Sequence, residues 1–442
     1  MSARKAFSIG PVPASREPAG TSLALDDIDV RTPAVVLKFD QNAMHHGGLG
    51  VIRSLGRLGV PVYGVHEGPW SPAARSRYLE GRCFWQPPVA DEARVLTDLR
   101  RLADSIGRPA VLLPTDDAGA IFVAEHAESL RSRFLFPEQP AGLPRRLASK
   151  QELPGLCSEQ RFPCPDSVVP RSLAEATSFT TRAGFPVAAK LTAPWQDAGD
   201  LRSTTIVTGL AELEDLWLAA DHAGTSLLLQ EFVPGRPGDD WFFHGYRDRD
   251  GVCRPAFTGV KERSYPAGAG LTSFGRSRPS ARLRQEVTGL LDRIGYHGIC
   301  DLDLRFDARD GQYKLLDFNP RLGAQFRLFR SFAGVDVAIA CYLDLTGQPI
   351  PDAGQVPGRA FLVENYDPLA AVSYWRRRDL RLGDWLRSVA TASEAAWFAW
   401  DDPAPFGLMC LRMAGRLPAH VAARWQTGPG DRRIPDRAAP VS

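Results

Sequence analysis

Within the segment KLLDFNPRLGAQ (314–325), an acid at Asp317, an amide at Asn319 and a guanidinium at Arg321 follow a strand-like apolar run at every second position. Side chains alternate across a strand, so the three are expected on one face. Upstream, CDLDLRFD (300–307) leads into the turn signal DARDG, and residues 300–306 and 312–318 are predicted to pair as a hairpin. Asp303 then joins Asp317 and Asn319 on that face. Two carboxylates and an amide oxygen are hard ligands of the kind magnesium takes, with waters and phosphate oxygens completing its shell. Zinc or copper would favour His or Cys. The competing reading is a surface hairpin with solvated polar residues. Against it, Asp317 and Asn319 end an apolar strand, where an unpaired acid is costly if even partly buried. Arg321 offers a planar fork to a phosphate or substrate carboxylate, or pairs with Asp317 or Asp303 to hold the hairpin.

The elements that must position these residues fall into two patterns. PAVVLKF (33–39), a loop and helix over GGLGVIRSLGRLG (47–59), and VPVYGVH (60–66) read as a βαβ unit. AVLLPTDD (110–117) adds a buried strand with polar residues at its end, followed by a helix over 118–134. Such alternation predicts a parallel α/β sheet, which binds ligands beyond the carboxyl ends of its strands. Gly47, Gly48 and Gly50 do not make GxGxxG, and no acid ends VPVYGVH before Glu67. The cluster therefore reads as a tight strand-to-helix turn rather than a dinucleotide site, with His45 and His46 as loop residues. From about 145 the pattern changes: FPVAAKL, TTIVTG, SLLLQEFVPG, DWFFHGYRD, GVCRPAFTGVKERSY, GICDLDLRFD and QYKLLDF are strand candidates with few helices between them. That predicts antiparallel sheet and an α+β half.

The bulk numbers agree with an enzyme or binding protein. At 442 residues, two to four subdomains are expected. A composition of 44% hydrophobic, 24% charged and 9% aromatic residues, with net charge +2, is that of a soluble globular protein. It speaks against nucleic-acid and membrane partners. The seven cysteines lack the paired short spacing of a zinc site and read as reduced, mostly buried thiols. No signal-peptide core or membrane-length apolar run is present, so a cytoplasmic location is expected. Residues 1–29 read as a flexible leader, and TGQPIPDAGQVPG (346–358) as a linker into a C-terminal extension whose last 15 or so residues look disordered. The run Arg376–Arg378 reads as a solvated face.

LLDFNPR with the upstream DLDLRFD resembles the magnesium signature of the ATP-grasp superfamily. That resemblance implies metal ligands at Asp303, Asp317 and Asn319. Further positions resemble the family in its order. SKQELPGLCSEQRFPCPDS (149–167) carries the first phosphate lysine, Lys150, and GFPVAAKL the second, Lys190, whose apolar strand argues against a merely solvated side chain. LLLQEFVPG resembles the hinge that clasps adenine, with Gln230, Glu231 and the backbone of Phe232 and Val233 at the purine. Asp239 or Asp240 takes the place of the ribose acid, and Lys261 that of a cation reaching the transferred phosphoryl group. The implied domains are a leader (1–29), an N-terminal α/β domain (30–144), a two-lobed ATP-grasp domain (145–347, lobe boundary near 230) and a C-terminal extension (348–442).

Within the superfamily the chain looks most like carboxylate-amine ligases of the D-aspartate ligase type. The implied reaction is ATP-dependent joining of a small-molecule carboxylate to an amine through an acyl phosphate, with Lys261 and Arg321 at the chemistry. ATP and Mg2+ are the implied cofactors, Mn2+ an alternative, and a homodimer is allowed. The competing readings are a small-molecule kinase and a non-catalytic ATP-binding regulator. Two features depart from the family: the loop TAPWQDAGDLRSTT (192–205) has a single glycine where a Gly-rich lid is common, and Asp replaces the commoner Glu at 317. The basic segment 261–279 offers Arg263 and Arg276 to an acidic or amino-acid substrate, or is a structural loop.

Overall fold

The computed structural model describes residues 28–85, 91–140, 142–192, 201, 204–268 and 270–426, with side chains described up to 415. The expected leader up to residue 27, most of the 192–205 loop and the expected disordered tail lie outside the described residues. No helix among the described residues is long and apolar enough to cross a membrane.

The N-terminal part is a five-stranded parallel sheet of β1 (Ala34–Leu37), β2 (Val62–His66), β3 (Leu79–Phe84), β4 (Ala110–Pro114) and β5 (Phe134–Leu135), in the order β3-β2-β1-β4-β5. All four β1 residues are buried, as expected of a strand covered on both faces. The strand order reverses between β1 and β4, so the loops 38–46 and 115–117 lie at the switch point where such sheets bind ligands. The glycines were expected in the turn after β1, but they form the first turns of helix Gly47–Gly56. A Cβ at Gly50 would lie 2.7 Å from a Phe326 ring carbon, and one at Gly47 would lie 3.3 Å from the Ala324 Cα. Their small size seats this helix on the loop that follows Arg321. His46 packs beside Phe361 and Trp397, and Glu67 pairs with Lys38 at 2.8 Å.

A small antiparallel sheet follows, made of β6 (Ser167–Val168), β7 (Val187–Leu191), β8 (Thr204–Val207) and β9 (Leu227–Glu231), in the order β6-β9-β7-β8. Val187, Ala189 and Leu229 pack with Ala176, Phe179 and Leu213 of the two helices on one face. By period two, Lys190, Leu228 and Gln230 are turned to the opposite face.

The large sheet comprises β10 (Asp240–Arg247), β11 (Cys253–Tyr265), β12 (Leu271–Ser277), β13 (Gly298–Asp307), β14 (Gln312–Asn319), β15 (Ala360–Leu362) and β16 (Glu394–Ala395), in the order β14-β13-β10-β11-β12-β15-β16. Helix Ala281–Arg293 buries Leu283, Val287, Leu290 and Leu291 against Phe243, Leu302, Leu304, Leu315 and Phe318. The extension is therefore not detached, since β15 and β16 complete this sheet. It also clamps the N-terminal helix. Arg53, fully buried, donates from Nε to Asp402 at 3.0 Å and from NH2 to the carbonyls of Trp397 and Asp402 at 2.8 Å. Removing one partner of such a buried pair leaves an uncompensated charge, so Arg53→Ala is expected to lower stability by about 3–5 kcal/mol. Denaturant unfolding checks this; an unchanged midpoint would contradict it.

Candidate active site

The small and large sheets meet in a cleft lined by Lys150, Cys164, Lys190, Leu228, Gln230 and Leu316. Lys150 and Lys190, 40 residues apart in sequence, thus face one space. Burial pulls the Lys190 ammonium below its usual range, Asp317 opposes that shift, and Lys150 adds to it. A desolvated lysine between an acid and a second lysine is placed to meet an anion that brings charge into the cleft.

On the large sheet, Asp303 of β13 lies directly across from Asp317 of β14, and Asp301 across from Asn319. A bulge puts them there. Asp303 pairs with Asp317 while Leu304 pairs with Leu315, so Leu316 is the extra residue on β14. Before the bulge the odd-numbered Tyr313 and Leu315 face the core; after it the even-numbered Phe318 does. The bulge therefore turns Asp317 and Asn319 to the face opposite that core, where Asp317 comes within reach of the Lys190 charge.

Like charges directly opposite across a sheet destabilise it, and the carboxyl groups show it. Burial pushes Asp317 above the usual carboxylate range, Lys190 pulls it back, and Asp303 pushes it further up. Asp303 Oδ1 is buried and accepts no hydrogen bond among the described residues. Lys261 Nζ lies 3.3 Å from that oxygen as an ion pair, 5.5 Å from the Phe242 ring centroid. Burial draws the Lys261 ammonium down, but Asp303 and Asp240 outweigh it and hold its pKa above the ordinary lysine value. Among the described residues no three His, Cys, Asp or Glu side chains gather as a metal nest. Two facing carboxylates, one of them held only by the Lys261 ion pair at its buried oxygen, and a neighbouring amide suit a hard cation whose remaining ligands are water or phosphate oxygens.

The connection out of β9 holds the remaining expected residues. Gln230 is buried. The Glu231 N–H donates to the Asp166 carbonyl at 2.7 Å, and its carboxylate accepts from Arg309 at 2.6 Å. Phe232 is half-buried and Val233 buried. Arg305 donates to the Val233 carbonyl at 3.0 Å and to Asp240 at 2.6 Å. Asp239 accepts from the N–H of Arg236 at 2.7 Å, closing its own loop. Asp240 opens β10 on the same face as Asp303, where Asp239 does not.

Arg321 reaches neither Asp317 nor Asp303. It donates to Asp117 at 3.1 Å, to Asp301 at 3.3 Å and to Asn319 Oδ1 at 2.9 Å, joining the N-terminal switch point to the hairpin. Asp117, Asp301 and the buried His244 were not singled out from the sequence. Asp301 was legible as the same-face neighbour of Asp303 in DLDL; the other two are brought in by tertiary structure alone. Arg263 and Arg276 are otherwise engaged. Arg263 donates twice to buried Asp367, at 2.8 and 2.9 Å, and Arg276 pairs with Glu262 at 2.7 Å. Much of the expected loop is strand β12. Of the seven cysteines, none is in a disulfide; Cys157, Cys300 and Cys341 are buried and Cys410 is exposed.

No family model matches the chain. A D-aspartate ligase of Enterococcus faecium is 25% identical over 273 residues, which cover 58% of this chain and 63% of that relative. The match thus spans less than two thirds of the relative's length. Among solved structures, L-amino acid ligase from Bacillus licheniformis aligns at a TM-score of 0.56 and 16% identity, over 75% of this chain and 79% of that one. The ADP complex of N5-carboxyaminoimidazole synthetase from Staphylococcus aureus aligns at 0.56 and 11%, over 76% and 83%. The biotin carboxylase domain of a Hydrogenobacter thermophilus 2-oxoglutarate carboxylase, with MgADP and bicarbonate, aligns at 0.52 and 16%, over 73% and 72%. The shared architecture is the ATP-grasp fold.

Proposed function

We propose that this ATP-grasp chain joins a small-molecule carboxylate to an amine at the expense of ATP, releasing ADP and phosphate. The observation that carries the reading is the convergence of Lys150 and Lys190 on one cleft, with the facing Asp303 and Asp317 close enough to act on the Lys190 charge. The similarity to a D-aspartate ligase and the fold shared with an L-amino acid ligase support amide-forming chemistry.

A carboxylate does not react with an amine at neutral pH; the two form a salt. Its oxygen first attacks the γ-phosphorus of ATP, the bond to ADP breaks, and an acyl phosphate results. The amine nitrogen then attacks the acyl carbon, the bond to phosphate breaks, and the nitrogen gives up a proton to solvent. Phosphoryl transfer of this kind is mostly positioning and charge stabilisation. Lys150 and Lys190 take phosphate oxygens, and Gln230, Glu231, Phe232 and Val233 border the purine. Asp240, with Arg305 beside it, is the better placed of the two ribose candidates, because Asp239 is spent on its own loop. Asp303, Asp317 and Asn319 would hold Mg2+, with Mn2+ an alternative, and the ion when bound would supply positive charge against the phosphate oxygens. Lys261, beside Asp303, reaches the transferred phosphoryl group, and Arg321 orients the substrate carboxylate. The partners are small molecules in the cytoplasm, without nucleic acid or membrane, and a homodimer is the assembly to look for by sizing.

The testing experiment is a screen of amino-acid and small-acid pairs for ADP and phosphate release, with mass detection of the product. ADP formation that needs both an acid and an amine supports ligation. ADP formation with the acid alone and a stable phosphorylated product would mean a kinase, and ATP binding without turnover on any pair a regulator.

Cys164 gives an independent check on where the nucleotide sits. Hydrogen bonding to Cys157 holds its thiol below the usual range, and it lines the cleft. Its alkylation by a maleimide is expected to slow several-fold with ATP present while exposed Cys410 reacts unchanged, as read by peptide mass spectrometry; equal rates at Cys164 with and without ATP would contradict the placement.

A further inference from the structure

Behind the two facing carboxylates lies a third, which the proposed reaction does not use. Asp301 is buried on β13, and His244 of β10, fully buried, places Nε2 2.9 Å from its Oδ1 without hydrogen-bond alignment. The side-chain amide of Asn319 turns its nitrogen toward Asp301, 3.2 Å from the backbone carbonyl and 3.3 Å from Oδ2. The backbone of Gly323 closes the site from above. A Cβ there would lie 2.4 Å from Asp301 Oδ2 and 2.5 Å from His244 Cε1.

We propose that Asp301, seated by His244 and Gly323, is a positioning residue that fixes the Asn319 amide with its oxygen outward, toward the cation position between Asp303 and Asp317. The inference rests on the reading of those three residues as a metal site. An asparagine amide has two ends of nearly equal shape, and its orientation is decided by its partners. The backbone carbonyl of residue 301 accepts only, and the Asp301 Oδ2 facing the amide is already paired with the Arg321 guanidinium at 3.3 Å, so both inner oxygens select the NH2 end. Flipping the amide would set its oxygen against two others in a buried place, where each unmet group is costly. Outward, Oδ1 meets Arg321 NH2 at 2.9 Å and keeps a second lone pair for a cation. Without the Asp301 carboxylate one of the two inner acceptors is lost, and the outward oxygen rests on the backbone carbonyl of residue 301 and on Arg321 alone.

The test exchanges the two groups. Metal affinity is measured directly by Mn2+ paramagnetic resonance with a non-hydrolysable ATP analogue, alongside the thermal midpoint, for wild type, Asp301→Asn, Asp317→Asn and the double variant Asp301→Asn with Asn319→Asp. The expectation is a fall in Mn2+ affinity of roughly 10- to 100-fold in Asp301→Asn, the range for groups that orient metal ligands. In the double variant, where amide and carboxylate trade places, one N–H···O contact and an outward oxygen are restored, and most of the affinity returns. Asn319→Asp alone is the control, since a carboxylate at 319 offers a cation oxygen at either end; the double variant's gain over Asp301→Asn must exceed the gain of Asn319→Asp over wild type. Wild-type affinity in Asp301→Asn, or a double variant no better than the single one, overturns the proposal. Should Asp317→Asn also bind Mn2+ like wild type, the metal reading itself has failed; a loss there with none in Asp301→Asn removes the positioning inference alone. If Asp301→Asn does not fold, a crystal structure of the wild-type Mn2+ complex decides. Asn319 bound through oxygen with its nitrogen on Asp301 supports the proposal, and any other orientation overturns it.

Discussion

Asp317→Ala is expected to lower turnover by a factor on the order of 100 to 1000, the range found when one preorganised charge-stabilising group is removed from a reaction centre, while leaving the fold at least as stable. Both halves follow from the same geometry. Asp317 is turned off the core face by the bulge at Leu316, across from Asp303, and burial and that second carboxylate push its pKa up against the pull of Lys190. An acid whose folded pKa lies above its unfolded one costs stability once pH exceeds the unfolded value, and the cost grows until pH passes the folded value. Deleting the carboxylate removes that cost. The variant should therefore show an unchanged or higher thermal midpoint near neutral pH in the absence of ligands. Added Mg2+ and ATP should raise the wild-type midpoint by mass action and the variant's far less. Calorimetry across pH with and without Mg2+ and ATP, beside steady-state kinetics, reads all of this. Retained turnover, or a variant markedly less stable than wild type, would contradict it.

Lys190→Met is expected to weaken ATP binding by roughly 10- to 100-fold, corresponding to about 1.5–3 kcal/mol for a hydrogen bond to a charged group. The ammonium is already partly desolvated in the free protein, where half-burial on β7 pulls its pKa down. Its burial is thus spent before the phosphates arrive, so the interaction on binding is less offset by loss of water. Methionine keeps the length of the side chain on β7, so packing beside its cross-strand partner Leu228 is retained. A second consequence distinguishes this residue from a general contributor to fold. Lys190 is the largest counterweight to the raised pKa of Asp317, so its loss lets that carboxyl climb further and weakens metal binding as well. Titration calorimetry with ATP, with and without Mg2+, should show a larger affinity loss when the metal is present. Equal losses in the two conditions would separate Lys190 from the acid pair.

The sequence made the period-two spacing of Asp317, Asn319 and Arg321 legible, and the hairpin with Asp303 follows from the turn at 307–311. It did not show how those residues come to face away from the core. With Tyr313 and Leu315 in the core, strict alternation would bury Asp317 and Asn319 with them; one extra residue reverses the phase, and nothing in LLDF announces it. The glycines of HHGGLG were legible as punctuation and misplaced in role, because what they fit is the backbone and ring at Ala324 and Phe326, far along the chain. Arg321 was visible as a fork but its partners were not: Asp117 comes from the N-terminal sheet, and no spacing argument links it to the hairpin. Strand β12 was hidden by the glycines and prolines around it. The extension likewise reads as a segment set off by a linker, although its Trp397 and Asp402 hold the buried Arg53 of the N-terminal helix.

The central claim is that a carboxylate oxygen is phosphorylated by ATP and then leaves with the phosphate. It is tested most directly by supplying the acid substrate labelled with 18O in its carboxyl group, together with ATP, Mg2+ and the amine found in the screen, and weighing the released phosphate. The account predicts one labelled oxygen per inorganic phosphate and one labelled oxygen fewer in the joined product. Unlabelled phosphate alongside ADP would contradict it, since ATP would then have been spent without activating the carboxylate.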